Sequence, residues 1–195
     1  MYKKQMILQR IASFILLGAA VLVFVYSLGI MTDLYDALYL VSSYKETSSM
    51  YVEGSYVYLN MQTFNKELTT AGIILILTAV AFFLFRTHDR RKYYIANYIT
   101  VGINAVANVA VSIWALINVF KYKAEFLLIN FEKLKTISEM LPSAVIYTES
   151  TFWFDISIFV FGIVFLATAI SIGNLVWKII LMRAEKKLIE EGKEA

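Results

Sequence analysis

The chain has 195 residues, 59% of them hydrophobic and 17% charged, with a net charge of +3 and a mean hydropathy of +0.66. A soluble domain of this size is less apolar, so the chain belongs to the membrane class. Without cysteine it cannot use the paired thiols of a membrane disulfide-forming enzyme, and with His88 as its one histidine it cannot hold a haem between two histidines of one chain.

Asp, Glu, Lys and Arg are missing from four windows, 11–32, 68–85, 93–120 and 156–177, which are 22, 18, 28 and 22 residues long. A membrane-spanning helix needs about 20 residues. The windows predict an all-α membrane protein: a four-transmembrane-helix bundle forming one integral membrane domain over 1–195, with spans at about 11–31, 69–86, 94–120 and 153–178. Twelve of the eighteen Lys and Arg fall in 1–10, 86–92 and 178–195, and six in 32–70 and 121–155. The positive-inside rule then predicts cytoplasmic N and C termini, a cytoplasmic loop at 87–93 and a cytoplasmic tail at 179–195. The loops at 32–68 and 121–152 are expected to be extracytoplasmic.

In chain order, a basic flank and an apolar run open the sequence in the manner of a signal sequence. The run exceeds the ~7–15 residues of a signal core and no small-x-small site follows it, so an uncleaved first span is expected. Thr32–Val41 reads as a helix start, with Thr32 as cap and Asp33 and Asp36 in the first turn. Aromatic and β-branched residues around Glu53-Gly54 predict a β-hairpin at about 50–59. Tyr51, Tyr56 and Tyr58 of this loop are a candidate contact surface outside the membrane. The basic loop, Arg86, Arg90, Arg91 and Lys92, is expected to face anionic lipid headgroups, with no nucleic acid as partner.

The third span carries the most information. Asn97, Asn104, Asn108 and Ala115 lie within roughly 40° of one another on a helix, with Ser112 and Asn118 about 60° to either side. A narrow polar face of this kind points at protein or water. It either cross-links helices or lines a conduit. Beyond it, 121–141 has helical periodicity without Gly or Pro until Pro142, which predicts a long third helix from about 95 to 140 that leaves the membrane. The alternative is a segment folded back at the interface. Residues 144–148 have strand character and could extend the hairpin to a sheet.

Ser150 or Thr151 can cap the fourth helix, and Trp153 and Trp177 bracket its span about 36 Å apart, as interfacial aromatic belts would. Asp155, Gly162, Ala169 and Gly173 lie within about 40° on this helix, a small-residue groove headed by a carboxylate that reads as a close helix contact. The tail is expected to continue the helix.

The layout of four helices, stranded first loop and long third helix resembles in outline the claudin-type tetraspan proteins, without the Trp and paired Cys of that family's first loop. No metal-ligand cluster or catalytic constellation stands out, and no cofactor is expected. The sequence therefore favours a non-catalytic accessory, assembly or regulatory subunit of a larger membrane complex. Its partners would be membrane lipids and another membrane protein or copies of itself. The alternative is an oligomeric channel or transporter whose Asn-rich face lines the conduit. Richness in Phe, Tyr, Ile, Lys and Asn fits the plasma membrane of a bacterium or archaeon.

Overall fold

A computed structural model describes residues 2–32, 41–84, 94–140 and 148–192. Five helices have both bounds among the described residues: α1 (Tyr2–Thr32), α2 (Val57–Leu84), α3 (Tyr94–Phe126), α4 (Phe131–Met140) and α5 (Phe152–Glu191). Four of them, α1, α2, α3 and α5, are long and apolar enough to cross a membrane. The helix from Phe152 runs unbroken to Glu191, as the sequence predicts for the tail. Contacts divide the chain into two compact units. One comprises Met1–Val21, Ile73–Ser112 and Gly162–Ala195; the other comprises Leu22–Gly72 and Ile113–Phe161.

Within the first unit, neighbouring helix segments are antiparallel and follow the order α1, α2, α3, α5 and back to α1. Phe14 packs at a tilt against Phe83, Asn104 bonds Thr78, Asn108 bonds Thr168, and Gln5 bonds Asn174. Polar side chains make three of these four contacts.

The second unit follows the same order with mostly aromatic contacts. Phe64 of α2 packs against Trp114 and Tyr122 of α3, and Tyr26 of α1 meets the edge of Phe161 of α5. Tyr26 also donates to the Trp153 carbonyl, and Thr69 to Ser27. Glycine sets two approaches here. A Cβ at Gly29 would fall 2.5 Å from the Trp153 ring, and one at Gly72 would fall 3.0 Å from Phe24 Cα.

The expected hairpin at 50–59 does not form, and no strand occurs among the described residues. Val57, Tyr58, Met61, Phe64 and Leu68 are buried at helical spacing, and burial of that stripe overrides the strand propensity of 56–59. Gly54 does turn the chain, at φ +82°, but against another segment: a Cβ there would sit 2.7 Å from Ile129 Cα. The Glu53 carbonyl beside it accepts the Asn130 N–H at 3.1 Å.

That contact falls where the expected long third helix ends. α3 stops at Phe126 and a turn separates it from α4. Asn130 caps α4, its side-chain oxygen accepting the Lys133 N–H at 3.0 Å, with Glu132 in the first turn. Absence of Gly and Pro did not make 95–140 one helix; a cap inside the run divided it. Of the two expected caps of α5, Thr151 stands at the N-cap, its carbonyl accepting the Asp155 N–H, and Ser150 before it accepts the Phe152 N–H. Of the expected strand at 144–148, 144–147 lie outside the described residues and Thr148 is not in a strand. Of the helix expected over Thr32–Val41, Thr32 is helical as the last described residue of α1, Val41 is helical, and 33–40 lie outside the described residues. Without the stranded loop and the unbroken third helix, the outline shared with claudin-type proteins reduces to four apolar helices.

Candidate functional site

The asparagine face of α3 is turned into the first unit. Asn97, Asn104, Asn108 and Ser112 are all at most 3% exposed. Asn118, 60° away, belongs to the second unit, is half-buried, and donates to the Trp114 carbonyl of its own helix at 2.8 Å.

Each buried asparagine is spoken for within the chain. Asn104 donates to Thr78 Oγ1 at 3.1 Å, and Thr78 donates onward to the Leu75 carbonyl. Asn108 donates to Asn104 Oδ1 at 2.9 Å and to Thr168 Oγ1 at 3.1 Å, and Thr168 donates to the Val164 carbonyl. Asn97 Oδ1 accepts from Lys178 Nζ at 2.8 Å. The chain of bonds links α2, α3 and α5 through hydroxyls that both accept and donate.

Sequence reading missed two stripes that face this one. On α5, Thr168, Ser171, Asn174 and Lys178 follow one another at spacings of three and four and are all buried. Lys178, taken from the sequence as the start of a basic tail, is 1% exposed, and its Nζ lies 5.9 Å from the Tyr98 ring centroid. On α1, Gln5, Gln9 and Ser13, four residues apart, are buried too. Gln5 donates to Gln9 Oε1 at 3.3 Å and to Asn174 Oδ1 at 3.2 Å. The signal was the spacing of amides and hydroxyls by three and four residues, and charged neighbours made Gln5, Gln9 and Lys178 look like flanks.

Not every polar atom in this interior is satisfied. Gln9 Nε2, Ser112 Oγ and Ser171 Oγ are buried without a hydrogen-bond partner.

The small-residue face of α5 points the other way. Gly162, Ala169 and Gly173 are exposed, and nothing among the described residues lies within 4 Å of a Cβ built at Gly162 or Gly173. The close contact expected of this groove is therefore not made within the chain. Asp155, also exposed, pairs with Lys123 of α3 and accepts the Thr151 hydroxyl. That carboxylate holds the start of α5 to α3.

The three loop tyrosines do not form one surface. Tyr56 is exposed, Tyr51 half-buried, and Tyr58 buried in the core of the second unit. In a strand Tyr56 and Tyr58 would share a face; here Tyr56 lies just before α2 and Tyr58 in its first turn, and only Tyr58 turns inward. Tyr51 instead lines an open cleft of about 390 Å³ with Glu46, Glu53, Asn130 and Lys133. The basic loop residues Arg86, Arg90, Arg91 and Lys92, and His88 with them, lie outside the described residues. Among the described residues no three of His, Cys, Asp and Glu come together in a metal-binding group.

By length and composition of four helices, the chain is a multi-pass membrane protein with a polar, hydrogen-bonded interior in one unit. No protein-family model, curated protein or solved structure matches it.

Proposed function

We propose that the protein is a non-catalytic tetraspan subunit that assembles with, or regulates, a larger membrane complex. The observation that carries this reading is the division of α5 into two faces. Thr168, Asn174 and Lys178 cross-link it to other helices of its own chain, while Gly162, Ala169 and Gly173 face outward with open space beside the two glycines. In lipid, where apolar surface alone does not drive helices together, small residues let another helix approach closely. The partner is a second membrane protein or another copy of this chain. The setting is the plasma membrane of a bacterium or archaeon, with both termini and the 87–93 loop in the cytoplasm, for the reasons of composition and charge given above. Leucine at both Gly162 and Gly173 tests it. The double variant should fold as the parent does and lose its partner in crosslinking within native membranes. Unchanged crosslinking would count against the reading.

A second reading, a channel or transporter, has the unpartnered atoms of Gln9, Ser112 and Ser171 in its favour. The Asn face would then line a path within one chain. Liposomes holding the purified protein should pass ions or small solutes above background on this reading, and Asn104→Leu with Asn108→Leu should abolish that flux. No flux would remove it.

A further inference from the structure

Two of the unpartnered atoms in the first unit belong to one level of it. Gln5 of α1 bonds Asn174 of α5, and the two helices are antiparallel. Advancing four residues along α1 to Gln9, about 6 Å, corresponds to retreating three along α5 to Ser171, about 4.5 Å. Gln9 and Ser171 therefore lie within about 1.5 Å of the same height.

The bond from Asn108 to Thr168 adds α3 by the same reasoning. Four residues back along α3 is Asn104, and three forward along α5 is Ser171, again within about 1.5 Å. Three buried side chains from three helices lie at this level: Gln9, Asn104 and Ser171. Gln9 Nε2 brings two N–H groups and no acceptor, Ser171 Oγ brings a donor and an acceptor, and Asn104 Oδ1 has a lone pair beyond the one Asn108 takes.

Local rearrangement does not remove the mismatch. A serine can turn onto a carbonyl of its own helix, as Ser13 and Ser27 do. The amide of Gln9 has no such recourse, since rotating it, together with Gln5, only exchanges which of its two polar atoms is left over. A buried amide donor without a partner forfeits the hydrogen bond it makes to solvent in the unfolded chain, which is why such groups take up water where two to four polar atoms converge.

We propose that Gln9, Asn104 and Ser171 hold a buried water molecule between α1, α3 and α5. The water accepts from Gln9 Nε2 and donates to Ser171 Oγ and Asn104 Oδ1. The side chains turned inward at this level are uncharged, so the site takes a neutral hydrogen-bonding ligand in preference to an ion.

Water-edited solid-state NMR on the full chain in lipid bilayers tests this. Asn108 is the internal control: it is equally buried, and its amide already donates to two partners. Magnetisation should pass from water to the Gln9 side-chain amide, which the water contacts directly, faster than to the Asn108 amide, which shares only the Asn104 oxygen with it, and in Ser171→Ala the Gln9 transfer should be lost. Transfer to the Gln9 amide no faster than to that of Asn108 in the unmodified chain would overturn the site without recourse to any variant. Transfer to Gln9 that survives in Ser171→Ala would overturn the assignment of Ser171.

Discussion

Replacing Asn108 with leucine keeps most of the side-chain volume and removes two hydrogen bonds, one along α3 to Asn104 and one across to Thr168 of α5. Bonds of this kind inside membrane proteins average ~0.6 kcal/mol and reach ~1.7. Thr168 keeps its bond to the Val164 carbonyl and Asn104 Oδ1 keeps the water proposed beside it, so the cost is that of the two lost bonds, about 1 kcal/mol each. The sum is ~2 kcal/mol, about thirtyfold in the folding equilibrium. Unfolding by sodium dodecyl sulfate in mixed micelles, followed by circular dichroism, would read it. Asn118→Leu is the control, because Asn118 is half-buried and bonds only its own helix; it should stay within about 0.5 kcal/mol of the parent. In a cycle with Thr168→Val, the Asn108 and Thr168 changes should couple by ~0.6–1.7 kcal/mol. Equal effects at Asn108 and Asn118, or no coupling to Thr168, would refute the view that the asparagine face joins helices.

Other substitutions follow from the same contacts. Lys178→Glu sets a carboxylate against the Asn97 oxygen that now accepts from Lys178, and should cost ~3 kcal/mol or more in the same unfolding titration. Gly54→Ala combines a positive φ with a Cβ 2.7 Å from the Ile129 backbone, and a loss of ~2–3 kcal/mol is expected, whereas Gly162→Ala should be neutral or slightly stabilising. Asp155→Asn weakens a pair whose side chains are 27% and 48% exposed, so a double-mutant cycle with Lys123→Met should find less than about 1 kcal/mol.

Span number and the inward face of α3 were legible because both rest on strong local signals, a charge-free run of sufficient length and amides at helical spacing. What was hidden depended on neighbours. Residues 56–59 have the composition of a strand, and only the burial of Tyr58, Met61 and Phe64 on one side of α2 decides for helix. The break at 127–130 shows in the sequence as Asn130 before Glu132, a capping signal outweighed by unbroken periodicity. Lys178 was hidden by its charge: a lysine at the end of an apolar run reads as a flank until Asn97 is found 2.8 Å from it. The groove on α5 was visible as a pattern, but which way it faces is set by the rotation of the helix, which follows from Thr168, Ser171 and Asn174 turning inward.

The most direct test of the proposed function is the mass of the assembly extracted gently from its native membrane, compared between the parent and the Gly162→Leu, Gly173→Leu double variant. A subunit that docks through this face should appear in a stoichiometric complex well above the 22.3 kDa of one chain, and the double variant should fall to the single-chain mass while remaining folded. A parent that runs as one chain with nothing bound, or a complex indifferent to both leucines, would contradict it.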